Sequence, residues 1–161
     1  MTDAPRPAGV TPPVAVVFAT VTFLALVIGG LGVASLALDA DVIPVRGLGP
    51  LPGVAGMGLA LAVFAGVLLW GLRADPPGYL TAVPCAIGAY VGETLGIAVG
   101  AALTGGDAAG GLAAAGAVAL GWPGAVIATA ALLAGLFGVL LVRSRRERPQ
   151  WGWERDGEDD R

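Results

Sequence analysis

One residue in this 161-residue chain combines a reactive side chain with a setting where such side chains are rare: Glu93, inside the run CAIGAYVGETLGIAVG. It is the sole charged residue between Gly78 and Gly106. A carboxyl group at that place could hold a proton, donate a hydrogen bond while neutral, or attract a cation while ionised. No Lys, Arg or His lies in the surrounding apolar stretches to compensate it, so desolvation favours the neutral acid. On a helix its neighbours are Ala89, Tyr90, Gly96 and Ile97, which points it along the edge of a row of glycines rather than at lipid. Tyr90, three residues earlier, and Thr129, at similar depth in a later apolar stretch, are the candidate hydrogen-bond partners. Two readings follow: a neutral Glu serving as interhelical glue, or a proton- or cation-responsive site.

Little other chemistry is open to the chain. It has no His, no Lys, no Asn and a single Cys, which excludes His dyads, His-based metal sites, P-loop lysines and disulfide frameworks. Intramembrane proteolysis needs a Ser/His pair or paired aspartates within the apolar stretches, and neither occurs. Cys85 follows Pro84, which is expected to kink the start of its helix, and reads as a small buried hydrophobe. Thr20, Thr22, Ser35 and Thr81 are expected to bond back to their own helix carbonyls. Asp39, Asp41 and Asp107 could form a weak cation site only if their loops converge. No enzyme, cofactor, metal or nucleic-acid partner is expected.

The elements that must position Glu93 are transmembrane helices. With 56% hydrophobic and 13% charged residues and a mean hydropathy of +0.81, the chain is neither an ordinary soluble domain nor a disordered one. At about 1.5 Å per residue a helix needs about 20 apolar residues to cross a hydrocarbon core about 30 Å thick. Four stretches qualify, so an all-α integral membrane protein with a four-helix bundle is expected, its helices at about 14–37, 52–72, 79–103 and 122–142. A short segment, 1–13, precedes this domain of residues 14–142, and a charged tail without enough apolar surface to fold alone occupies 143–161. The Gly/Ala-rich stretch 105–121 is only weakly apolar and reads as a flexible loop or short surface helix, with a re-entrant segment as the alternative. The first apolar run, 25 residues long, exceeds the core of a signal peptide.

Glycine spacing sets the expected packing. Gly88, Gly92, Gly96 and Gly100 recur at every fourth residue, a glycine zipper suited to a right-handed crossing with close backbone contact. Because lipid chains are as apolar as Leu, contacts of this kind must drive helix association in a bilayer. Weaker rows are Gly58, Ala62 and Gly66 in the second helix, Gly30 and Ala34 in the first, and Ala131 and Gly135 in the fourth. Packing within one chain is preferred over packing between chains, since four helices offer enough small faces to satisfy one another.

Arginines orient the bundle. An even number of crossings puts both termini on one side, which then carries Arg6, Arg73 and six tail arginines, with Arg46 alone opposite. The positive-inside rule makes that side the cytoplasm, with Arg73, Arg143, Arg145, Arg146 and Arg148 as anchors. Trp70, Tyr79 and Trp122 fall at the boundaries, as an aromatic belt requires. Abundant Ala, Gly, Val and Arg with no Lys or Asn is the usage of a GC-rich genome, which points to a bacterial plasma membrane. Two functional classes remain: a non-enzymatic scaffold, assembly factor or accessory subunit beside a larger membrane-protein partner, or a small proton-coupled transporter or channel, a homo-oligomer built around Glu93. Trp151 and Trp153, beside the tail arginines, suit either the lipid headgroups or a partner.

Overall fold

The computed structural model of the chain describes residues 10–42, 49–74, 77–103 and 108–144. Among these it contains helices α1 (Pro12–Leu38), α2 (Leu51–Gly71), α3 (Ala82–Leu103), α4 (Ala108–Leu120) and α5 (Trp122–Arg143), with no strand. A 3-10 turn, Tyr79–Thr81, leads into α3. Proline marks the starts: α1 carries two and α2 and α5 one each in the first two helical positions, where the missing N–H had no intrahelical partner to lose. Pro84 likewise falls in the first turn of α3, and the helix runs unbroken past it, so the expected kink has no lost hydrogen bond behind it. Asp39 ends α1 in the left-handed region at φ 47°, its N–H donating to the Ser35 carbonyl.

Four of these elements, α1, α2, α3 with its leading turn, and α5, are long and apolar enough to cross a membrane. The shortest has 21 residues, which at ~1.5 Å each still covers about 31 Å. Many of their apolar side chains face outward: Phe18, Val21, Ile28, Val33, Leu36, Leu80 and Leu103 are all exposed. The interior is built mostly of small residues, with Ala15, Ala19, Ala60, Ala89, Ala114, Ala131 and Ala134 fully or nearly fully covered. A large apolar periphery around a core of small residues suits a solvent of lipid chains, where close packing rather than apolar burial holds helices together. At the centre, Phe23 of α1 and Phe64 of α2 stack with ring centroids 4.8 Å apart.

Within the stretch expected as a loop or short surface helix, with a re-entrant segment as the alternative, the chain is helical and packs along one face. Residues 108–120 form α4, which buries Gly111, Ala114, Ala115 and Val118 along one face and leaves Leu112 and Leu120 exposed. A Cβ on Gly111 would stand 2.6 Å from the Ala101 Cβ, and the carbonyl of Ala119 reaches Tyr90, so α4 runs antiparallel to α3 and stops partway along it. Seven alanines in thirteen residues supply the helix propensity, and their short side chains allow the close approach. Mean hydropathy registers neither property. Only Gly121, extended at φ −92° and ψ −179°, separates α4 from α5. A Cβ there would meet the Ala117 carbonyl oxygen at 2.5 Å.

Candidate functional site

The glycine row of α3 lies against α2 of the same chain. A Cβ added to Gly88 would meet Val63 Cγ1 at 3.0 Å; one on Gly92, the Ala60 Cα at 3.1 Å; one on Gly96, the Gly56 Cα at 2.6 Å; and one on Gly100, the Pro52 Cα at 2.8 Å. Each step of four toward the end of α3 is answered by a step of three or four toward the start of α2, so the two helices stay in antiparallel contact over their whole length. Gly71 continues the register at the other end, against Thr81. Three of the four positions in the row face backbone atoms, which no rotamer change can move aside.

On α2 the contacting face is Pro52, Gly56, Ala60 and Phe64, all buried. The row expected there, Gly58, Ala62 and Gly66, is exposed, and a Cβ on Gly58 or Gly66 would find nothing within 4 Å. The two rows are two residues apart and therefore on nearly opposite sides of the helix. The buried row continues into Phe64 and Leu68, which fill the core, and the exposed row continues into Trp70. Of the other expected rows, Gly30 meets Val126 Cγ1 of α5 at 2.8 Å, and Gly135 packs on Ala82 and Cys85 of α3. Cys85 is buried with a free thiol.

Glu93 sits at the edge of the α2–α3 contact and is 7% exposed. A Cβ on Gly56 would lie 3.0 Å from Glu93 Oε1 and 3.1 Å from the Glu93 carbonyl oxygen, so the carboxyl group lies over the bare backbone of α2. Its Oε2 is buried without a hydrogen-bond partner. The expected partners turn elsewhere. The Tyr90 hydroxyl donates to the Ala119 carbonyl at 2.8 Å, tying the end of α4 to α3. Thr129, exposed on α5, donates back to the Ala125 carbonyl at 2.8 Å. A cluster of Glu93, Tyr90 and Thr129 is therefore not assembled, because the end of α4 presents Tyr90 with a nearer free carbonyl and Thr129 faces outward. Sequence spacing marks neither Gly56, one of several glycines in α2, nor Ala119, which acts through its backbone carbonyl.

At the end of the bundle where α2 stops and α3 begins, Arg143 closes α5. Its Nη1 donates to the Pro77 carbonyl at 3.2 Å and its guanidinium lies 4.5 Å from the centre of the Tyr79 ring. Arg73 is exposed at the same end. Arg145, Arg146 and Arg148 lie outside the described residues, as do Asp75 and Asp107. Of the span hydroxyls, Thr22 bonds back to Phe18 as expected, Ser35 donates forward to Ala40, and Thr20 Oγ1 is buried without a partner. Asp39, Asp41 and Ser35 line a recess at the end of α1, and no group of three potential metal ligands exists among the described residues.

Fold and site together define an all-helical protein of small-residue packing with four helices long and apolar enough to cross a membrane. Within that class, residues 11–161 match a family of unknown function, DUF6121, and the chain belongs to that family. No curated protein and no solved structure matches it.

Proposed function

We propose that the protein is a non-enzymatic accessory, scaffold or assembly component of a bacterial plasma membrane, with both termini in the cytoplasm. The observation that carries this reading is the uncovered row Gly58, Ala62 and Gly66 on α2. In a bilayer a row of small residues is a helix-docking surface, since a neighbouring helix can approach its backbone more closely than lipid chains gain by filling it. The opposite face of α2 already holds α3, so the free row is placed for a helix from another membrane protein. The arginine asymmetry supports the orientation, and the abundance of Ala, Gly, Val and Arg without Lys or Asn supports the bacterial membrane. The spans contain a single carboxylate that is closed off from the surface, which supports a packing role over conduction.

Affinity purification of the tagged chain in mild detergent, with mass spectrometry of what co-purifies, tests this reading. A stoichiometric larger membrane protein, lost when Gly58 and Gly66 are both replaced by Leu, is the expected result. Recovery of a homo-oligomer alone overturns it and turns attention to a proton-coupled transporter or channel, tested by ion flux in liposomes.

A further inference from the structure

Glu93 places an unpartnered carboxyl oxygen, in a residue only 7% exposed, at the close backbone contact of α2 and α3. Its Oε1 faces Gly56, and Ile97 lies on the same glycine, its Cγ1 2.8 Å from where a Cβ would stand. One turn further along α3, a Cβ on Gly96 would be 2.6 Å from both the Ala55 carbonyl oxygen and the Gly56 Cα. Nothing in the packed elements can neutralise an ionised carboxylate at this place. Leu51–Gly71 of α2, Pro12–Leu38 of α1 and Ala108–Leu120 of α4 contain no titratable residue. On α3 the titratable neighbours are Tyr90, whose hydroxyl is engaged by Ala119, and Cys85, two turns away. On α5 the only one is Arg143, held at the far end by Pro77 and Tyr79.

We propose that Glu93 is a proton-binding site built into the α2–α3 contact, and that the two helices remain in backbone contact only while its carboxyl group carries the proton. The neutral acid fits a dry, small-residue groove. The anion requires water or a cation at both oxygens, which the buried Oε2 gains when Ala55 and Gly56 withdraw from Gly96 and Glu93. Proton release and separation of α2 from α3 are therefore one event. This inference does not depend on a scaffold role for the bundle.

The experiment uses the full chain in lipid nanodiscs, with Cys85→Ala as background and spin labels on Val54→Cys and Val99→Cys. Both positions are exposed and stand at matching heights on α2 and α3. Infrared difference spectra follow the neutral-carboxyl band while pulsed dipolar spectroscopy follows the distance between labels, from mildly acidic to alkaline pH. The expected result is loss of the band and lengthening of the distance at the same pH, with Glu93→Gln showing neither and keeping the short distance throughout. A band that titrates while the distance stays fixed overturns the proposal, as does a distance change shared by Glu93→Gln. Absence of any titration before helicity is lost overturns it too. Should Glu93→Gln fail to fold, the coincidence or separation of the two transitions in the unsubstituted carboxyl protein decides the matter.

Discussion

The contact between α2 and α3 is made by backbone, and that between α1 and α5 by side chains. Gly92, Gly96 and Gly100 each face main-chain atoms of α2 at 2.6–3.3 Å from an added Cβ, whereas Gly30 of α1 faces only the Val126 side chain, and Gly138 of α5 faces Leu68 and Ala19 side chains. In the first case any added atom must push two helices apart. In the second, a methyl group or a rotamer can yield. The only charged residue buried among the described residues lies on the rigid contact, and a groove between α1 and α5, lined by Leu26, Gly30, Val126 and Thr129, lies on the adaptable one. Rigidity and the ionisable group coincide, and this gives the protonation of Glu93 something to act on.

The most severe test of the contrast is Gly96→Ala. Its methyl group would be 2.6 Å from Ala55 and Gly56 backbone atoms, and a cost of about 3 kcal/mol is expected, at the top of the overpacking range, read as an earlier unfolding midpoint in SDS titration. Wild-type stability in this variant would show that α2 and α3 are not in backbone contact. Tyr90→Phe removes one hydrogen bond, to Ala119, and should cost about 1 kcal/mol while speeding amide hydrogen exchange in α4. Unchanged exchange would mean that small-residue packing alone holds α4. Gly30→Ala needs only a shift of Val126, so a loss of about 0.5 kcal/mol is expected in the same titration. A loss matching that of Gly96→Ala would erase the distinction between the two contacts. Smallest of all, Gly58→Ala and Gly66→Ala should leave the isolated chain within about 0.5 kcal/mol of wild type, because nothing lies within 4 Å of either. A clear destabilisation there would reveal an internal contact on the outer face of α2.

The four long helices were legible because the requirement is local: a bilayer demands about 20 apolar residues per crossing, and charges interrupt the chain at the needed intervals. The four glycines of α3 were legible as spacing, and Glu93 as a charge out of place. Which row on α2 receives them was not. Pro52, Gly56 and Ala60 and the alternative Gly58, Ala62 and Gly66 both satisfy the small-residue rule, and the choice depends on which side leaves Phe64 facing Phe23. Likewise the packing of α4 on α3 was not legible, because Ala and Gly score weakly for hydropathy while allowing close approach.

Sequence by itself therefore determined the four helices long and apolar enough to cross a membrane, the isolation of Glu93 from any opposite charge within them, and the small-residue character of the packing. These follow from composition and from a repeat along one helix. Tertiary structure decided that Tyr90 serves α4 instead of Glu93, that Gly56 is the residue beneath the carboxyl group, and that Gly58 and Gly66 remain free. Those are pairings between helices distant in the chain, and they are set by the rotation of each helix about its own axis. In a core of alanines and glycines that rotation is settled by the few large side chains which must interlock, Phe23 and Phe64 first among them.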